Sequence, residues 1–494
     1  MRSLPLLLAA LSGPALAGAQ APPPPAPIVI SSNSSNAPGT VPLQTRALLT
    51  VLSGHLDHAP AGDTVQLWYG APRPAKAALS TTGDFRVVVS LAKVTPASFV
   101  YARQHTALYL TPGDQLRVTL DYDKFDETLR YSGRGAAANN YLARSLYKFE
   151  YGPAGNVPRP QDQLKPTTTP AEIRQYADAF RQQQRTFLAT YTKAQPLPAA
   201  FQQQQVLDMD LQWGRTLLGY PPYRHYSAPE AATLPATYYD FLAQLPLKKL
   251  DALVKQESVL RFLDAYSSRL LPDGVLPADP TAAGRLYAQA TADFGPGAAR
   301  DWALYQLFTY QAMLNGTEAV LAAYPTFRAQ NRDSTVARNM HELVRKQAAL
   351  QPGKPAPAFV LRTSEGKTAS LADLRGKVVY LDFWGTWCGP CMREMTEFSH
   401  DLKKQFEGRD VVFAYISVGD KEEKWQQVLA EKQFTSPNSL HLRSPDDAVT
   451  TAYQVSAFPT YWLIGRDGRI ILSRAPRPSD GAKTVAAIEK ALTQ

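Results

Sequence analysis

The chain has 494 residues, which at about 150 residues per domain makes room for about three domains. Its hydrophobic content of 45% supports buried cores, while a net charge of +9 is modest for this length. No Lys/Arg run exceeds two residues and no stripe of basic and aromatic residues occurs, which argues against nucleic-acid binding and leaves a solvated basic surface.

The N-terminus reads "MRSLPLLLAALSGPALAGAQA". Arg2 supplies a positive start, Leu4 to Leu11 a short apolar run, and Ala15, Ala17 and Ala19 small residues suited to cleavage. Residues 1–19 therefore read as a secretory signal peptide, with an uncleaved anchor as the alternative. There is no cysteine near the cleavage region to carry a lipid. No later segment reaches the roughly 18 apolar residues of a spanning helix. The expectation is an exported protein of the periplasm or cell envelope, with no stable membrane insertion after signal cleavage. Residues 20–45 hold "APPPPAP" and then "SSNSSNAPGT", a stiff and then flexible tether.

Residues 46–135 are strand-like. "ALLTVLSGHL", "DTVQLWYG", "FRVVVSL", "SFVYAR", "ALYL" and "QLRVTLDY" are separated by "APAGD", "STTGD" and "TPGD". Their spacing predicts a small antiparallel β-sandwich. His55 and His58 stand three apart, but no third ligand is evident, and no metal site is expected.

Residues 136–350 turn helical. Thr169 and Pro170 form a helix start, and Ile173, Tyr176, Ala177, Phe180 and Phe187 follow helical spacing. Trp213, Tyr238, Tyr239, Phe262 and Trp302 are expected in the core, with a ligand or partner groove as the alternative. No period marks a helical repeat. "QPGKPAPAF", Gln351 to Phe359, is a Pro/Gly-rich boundary. Beyond it strands alternate with helices: "VVYLDFW", a helix from Pro390 toward Gly408, "VVFAYISVG", "KEEKWQQVLAEKQF", a hairpin turning at Asp467-Gly468, and a last helix over about Gly481 to Leu492. This order predicts a mixed sheet covered on both faces.

Cys388 and Cys391 are the chain's two cysteines. The ring they would close is too small to restrict the unfolded chain much, so the pair is poorly placed as a staple. Zinc would need two further ligands, and haem attachment would need His where Met392 stands. A strand running into Trp387-Cys388-Gly389-Pro390-Cys391 at a helix start puts the first sulfur against free backbone N–H groups. That favours its thiolate. Cys388 is then the attacking nucleophile and Cys391 the resolving thiol. A one-cysteine peroxidase would leave Cys391 unexplained.

"LDFWGTWCGPC" resembles the active site of thioredoxins, and "GKPAPAFVLRTSEGKTASLADLRGKVVYLDFWGTWCGPCMREM" resembles the exported TlpA/ResA-like branch of that superfamily. The resemblance implies a thioredoxin-like domain over 351–494. It makes the chain a multidomain protein with a C-terminal α/β thioredoxin fold after a small β-sandwich and an all-helical domain. The regions before it are similar to N-terminal extensions of exported thioredoxin-like proteins of Bacteroidetes-type bacteria. By the same resemblance Asp382 matches the buried aspartate that moves the second cysteine's proton, a plain hydrogen-bonded core aspartate being the alternative. Burial should raise its pKa. Glu394 matches an active-site glutamate of the ResA-like branch, against the alternative of a solvated helix residue. Phe458, Pro459 and Thr460 match the cis-proline loop, with a trans turn proline as the alternative. Trp387, Gly389 and Pro390 would border Cys388 on the substrate side. Thr396 stands where thioredoxins have a kinking proline, so a straighter active-site helix is expected.

The implied activity is thiol–disulfide exchange without a cofactor, with disulfide-bearing exported proteins as substrates and a membrane electron donor as partner. Gly389-Pro390 leans toward a reductase. An oxidase or isomerase, or a partner-binding envelope protein with an accessory redox domain, are the alternatives.

Overall fold

The computed structural model describes residues 47–60, 62–151, 157–228, 233–271, 274–315 and 317–494. The expected signal segment 1–19 and tether 20–45 lie outside the described residues. The described residues fall into two compact units. One runs through Pro246 and takes in Gln256–Ser268, and the other holds Leu247–Lys255 and Arg269–Gln494.

In the first unit, alternating apolar and polar residues make the strands β1 (Leu48–Asp57), β2 (Thr64–Trp68), β3 (Ala75–Ala78), β4 (Asp84–Leu91), β5 (Thr95–Tyr101), β6 (Gln104–Leu110), β7 (Gln115–Asp121) and β8 (Arg130–Arg134). They form two sheets, in the orders β4-β1-β7-β8 and β3-β2-β5-β6. Leu52, Val87 and Val118 from one sheet and Val65, Leu67 and Phe99 from the other share one buried core. The sequence predicts an antiparallel sandwich, and the structure corrects this, because one pair of strands is parallel. β1 runs parallel to β7, with Val51 opposite Gln115. A parallel pair needs a long crossover, and the strands between them supply it.

His55 and His58 serve different neighbours. His55 pairs with Asp57 and Asp84, whereas His58 Nδ1 lies 3.1 Å from Asp121 and close to Asp123. Spacing along the chain showed neither of these carboxylates. Asp121 already accepts from the Asp123 N–H as the cap of a short turn.

Thr169 caps the helix Pro170–Ala194 through a reciprocal box with Glu172, and Ile173, Ala177 and Phe180 point inward. Trp213 and Phe262 are buried, whereas Tyr238, Tyr239 and Trp302 are half-buried. Trp213 is fixed by its indole N–H on Asp178 (2.7 Å) and by the Arg181 guanidinium 3.7 Å from its ring centre.

In the second unit, the helices Pro280–Phe294, Ala298–Asn315, Glu318–Gln330 and Ser334–Ala348 precede a seven-stranded sheet. Its strands are β9 (Val360–Thr363), β10 (Thr368–Ser370), β11 (Val378–Trp384), β12 (Val411–Val418), β13 (Ser439–Ser444), β14 (Thr460–Ile464) and β15 (Ile470–Leu472), in the order β10-β9-β13-β12-β11-β14-β15. β11, β12 and β13 are parallel, and β14 is antiparallel to β11. Every residue of β11 and β12 is buried, as expected of strands covered on both faces. Period two sends Tyr380 and Trp384 into a cluster with Cys388, Cys391 and Ile488, and Leu381 and Phe383 into the opposite one with Val449 and Trp462. The β14–β15 hairpin turns at Asp467-Gly468, with Gly468 at φ +71°.

The helix after Cys388 is not a continuous α-helix. It runs Gly389–Arg393, widens into a π turn at Glu394–Phe398, and continues as Ser399–Gln405. The Thr396 hydroxyl donates to the Met392 carbonyl at 2.6 Å, and the Ser399 hydroxyl takes the Glu394 carbonyl at 3.1 Å. Side-chain hydroxyls thus satisfy carbonyls where the backbone widens. The extra residue of this π turn interrupts the regular α-helical ladder without a proline.

Under the sheet, Lys403 is 5% exposed and donates to the Phe434 carbonyl at 2.6 Å. Burial lowers its pKa from 10.5 to about 8. His441 stacks on Tyr415 at 4.8 Å, and burial, then the Lys403 charge, lowers it to about 4. Between pH 8 and 10.5 the unfolded chain binds a proton at Lys403 that the folded chain does not. Folding should therefore gain on the order of 3 kcal/mol across that window. The difference in unfolding free energy between the parent chain and Lys403→Met, followed from pH 7 to 10.5, should show this rise. A flat difference would refute it.

Candidate active site

β11 delivers the site. Its alternation places Asp382 on the face that carries Tyr380, Trp384 and the two cysteines, beneath the helix that starts at Gly389. The strand ends at Trp384, and Gly385-Thr386-Trp387 turns the chain into that helix. A Cβ on Gly385 would lie 2.5 Å from the Trp387 indole nitrogen, so this turn needs glycine. Asp420, just past β12, accepts from the Thr386 N–H at 2.9 Å, the Thr386 hydroxyl at 2.6 Å and the Ser417 hydroxyl at 2.6 Å. It ties the loop to the neighbouring strand.

Cys388 is the N-cap of the helix, and its Sγ accepts from the Cys391 N–H at 3.2 Å. The two cysteines are joined by a disulfide. Cys388 retains 5% of its surface and Cys391 none. Gly389 and Pro390 are exposed beside the bond. Trp387 is 57% exposed, donates its indole N–H to the Val418 carbonyl at 2.9 Å, and meets Phe458 edge-on at 5.1 Å. Its ring is thereby fixed without being covered.

The Phe458-Pro459 peptide is cis. Phe458 is half-buried, Pro459 is buried, and the Thr460 hydroxyl donates to the Ala457 carbonyl at 2.7 Å. A trans turn at Pro459 is thus not what this chain adopts.

Two carboxylates lie beneath the disulfide. Asp382 is 1% exposed, and neither of its oxygens has a hydrogen-bond partner of good geometry among the described residues. Burial first, then the Glu394 charge, pushes its pKa well above the usual range; Tyr461 and Arg477 offset only part of this. Glu394 is 2% exposed, so it is not a solvated helix residue. Its oxygens accept from the Ser479 hydroxyl (2.6 Å) and N–H (3.0 Å). Tyr380, Tyr415 and Tyr461 surround Asp382 from β11, β12 and β14, and burial raises the pKa of all three phenols.

All ten residues expected at the site are in the C-terminal unit. Asp420, Ser479 and the three tyrosines were not singled out from sequence. For Asp420 the signal was faint, a "GD" pair ending a buried strand, and for Ser479 there was none.

Known proteins resemble this part of the chain. The Redoxin family matches residues 351–492. The thiol-disulfide oxidoreductase ResA of Bacillus subtilis is 34% identical over 123 residues, covering 25% of this chain and 66% of that protein. ResA of Bacillus cereus is 35% identical over 125 residues, covering 25% and 68%. The chain thus spans about two thirds of the length of these relatives. Among solved structures, the thioredoxin domain of a thiol-disulfide oxidoreductase from Bacteroides vulgatus is 27% identical, with a TM-score of 0.26, covering 28% of this chain and 97% of that one. A thiol:disulfide interchange protein from Bacteroides sp. is 25% identical, with a TM-score of 0.25, covering 30% and 93%. Through its C-terminal domain, the chain belongs to the ResA-type thiol–disulfide oxidoreductases.

Proposed function

We propose that this protein is an exported reductase of disulfides in envelope proteins, working through the Cys388-Gly389-Pro390-Cys391 dithiol in domain 351–494. The observation that carries the reading is the arrangement at the end of β11. A helix-capping cysteine keeps a small share of its surface, a second cysteine is fully enclosed, a carboxyl without a well-placed hydrogen-bond partner is buried on the same face of β11, and a cis-proline loop lies in the same domain.

In the reduced protein the Cys388 thiolate attacks one sulfur of a substrate disulfide, and the first substrate thiolate leaves. Cys391 passes its proton to Asp382 and attacks the Cys388 sulfur, expelling the second thiolate. The electron pair has moved to the substrate, which leaves as a dithiol, and Cys388–Cys391 remains as the disulfide. A membrane electron donor returns two electrons; no bound cofactor is needed. Trp387, Gly389 and Pro390 form the rim on which substrate rests. The backbone of Phe458, ahead of Pro459 and Thr460, pairs with an extended substrate segment. Glu394 acts through Asp382. No helix among the described residues is long and apolar enough to cross a membrane. In this reading the signal segment delivers the chain to the periplasm or cell envelope.

Direction is tested by equilibrating the full chain with glutathione. A thioredoxin-like pair sits near roughly −270 mV and a strong oxidant near roughly −120 mV, so a reductase should settle toward the lower value. A potential above roughly −180 mV would overturn the reductase reading in favour of an oxidase or isomerase.

A further inference from the structure

The Gly385-Thr386-Trp387 loop carries the exposed Trp387 ring, yet it begins on a glycine. Gly385 is required by the close approach of the Trp387 indole. The same missing Cβ leaves the following backbone free to swing unless something outside the loop holds it. Within the loop, the Cys388 N–H donates to the Gly385 carbonyl at 3.0 Å.

The outside hold is the stretch Ser417–Asp420, at the end of β12 and just past it. One Asp420 oxygen accepts from the Thr386 N–H at 2.9 Å and from the Ser417 hydroxyl at 2.6 Å, and the other accepts from the Thr386 hydroxyl at 2.6 Å. Two residues earlier, the Val418 carbonyl accepts from the Trp387 indole N–H at 2.9 Å. Gly419, at φ +72°, makes the turn between these two holds. Thr386 and Trp387 are thus gripped side by side by one short segment, and Ser417 steadies the gripping carboxyl. The Asp420 carboxyl bonds go to Thr386 and Ser417 and not to either cysteine. The Cys388 sulfur has its own donor in the Cys391 N–H at the helix start.

We propose that Asp420 is a positioning residue, which holds the Thr386 peptide and hydroxyl against the end of β12 and so presents the Trp387 ring in one orientation to protein substrates. This rests on the exchange reading above. A rim fixed before the encounter spares the substrate the cost of ordering it. Without Asp420, the loop swings about Gly385 and the ring loses that orientation, while the helix start that serves the Cys388 sulfur stays in place.

The test compares two disulfides on the full-length chain. Insulin is a protein disulfide that needs the rim. Its reduction is followed above the rate of dithiothreitol alone, which closes to its cyclic disulfide and returns two electrons to Cys388–Cys391 at each turn. The second, 5,5′-dithiobis(2-nitrobenzoate), is a small disulfide, from which the Cys388 thiolate of the reduced chain releases one nitrothiobenzoate in the first step. Asp420→Ala should lower kcat/KM for insulin about tenfold, mainly through KM, and leave the first nitrothiobenzoate release within about twofold of the parent. Asp420→Asn should restore the parent values, because its amide oxygen accepts from the Thr386 N–H and Ser417 while its NH2 donates to the Thr386 hydroxyl. Thr386→Val removes one of the two bonds at constant shape, and should show the same split at smaller size even if Asp420→Ala folds poorly. In a Trp387→Ala background, Asp420→Ala should add nothing. An unchanged insulin reaction, an equal loss with both disulfides, or a full further loss in the Trp387→Ala background would overturn the assignment and leave exchange standing. So would an unsubstituted chain that reacts with the small disulfide and not with insulin. An unsubstituted chain inert to both would sink the exchange reading itself.

Discussion

Cys391→Ser is expected to lower disulfide-reducing turnover at least about a hundredfold, because the mixed disulfide at Cys388 then has no resolving thiol. The chemistry stops one bond short of product, so the substrate stays attached. The geometry favours this order of events. Cys388 retains 5% of its surface and caps the helix, while Cys391 is fully enclosed and cannot meet a protein substrate directly. Cys388→Ser should lose turnover equally and form no adduct. The readout is a non-reducing gel followed by mass analysis of covalent complexes in an envelope extract. Adducts that form equally well with both variants, or with neither, would show that Cys388 does not perform the attack. The adducts would also identify the substrates.

Asp382→Asn should have two opposite effects. Resolution should slow by about one to two orders of magnitude, the usual contribution of a positioned general base. Folding should become more favourable near neutral pH. The carboxyl is buried without a good hydrogen-bond partner, and its folded-state pKa is raised. Between the unfolded value of about 4 and that raised value, the folded state holds a proton that the unfolded state has lost, so stability falls as pH rises through the window. An amide does not titrate there. The parent and Asp382→Asn chains should therefore match most closely at acid pH and separate above it, with the variant more stable by about 1 kcal/mol or more, the scale of an unmet buried polar group. Denaturant unfolding at a series of pH values decides the matter. A variant that is less stable at neutral pH and resolves at the parent rate would refute both effects.

What the sequence made legible was local. Cys388 and Cys391 are three residues apart and flanked by a buried strand and a helix, so their chemistry lies in one stretch. The start of the helix Pro170–Ala194 and the turn at Asp467-Gly468 were equally readable, because capping and hairpin chemistry act within a few residues. Long-range partners were not readable. Ser479 meets Glu394 only because the last helix packs across the sheet, and nothing in "RPSDG" announces it. Asp420 holds Thr386 for a similar reason, since parallel pairing of β11 and β12 sets their ends side by side. The π turn at Glu394–Phe398 was not readable, because it is accompanied by hydroxyl-to-carbonyl bonds from Thr396 and Ser399 that periodicity does not weigh.

The parallel pairing of β1 with β7 governs how the first unit can be cut and made. β1 is an early strand, yet it sits inside its sheet, with β4 on one side and β7 on the other. Until Gln115–Asp121 is available, one edge of β1 has no partner and offers its N–H and C=O groups to any passing chain. Closing so long a loop also costs more entropy than pairing neighbours, so this contact forms late. The sandwich thus has no shorter autonomous piece: a fragment ending anywhere before residue 121 would be an adhesive half-sheet rather than a smaller domain.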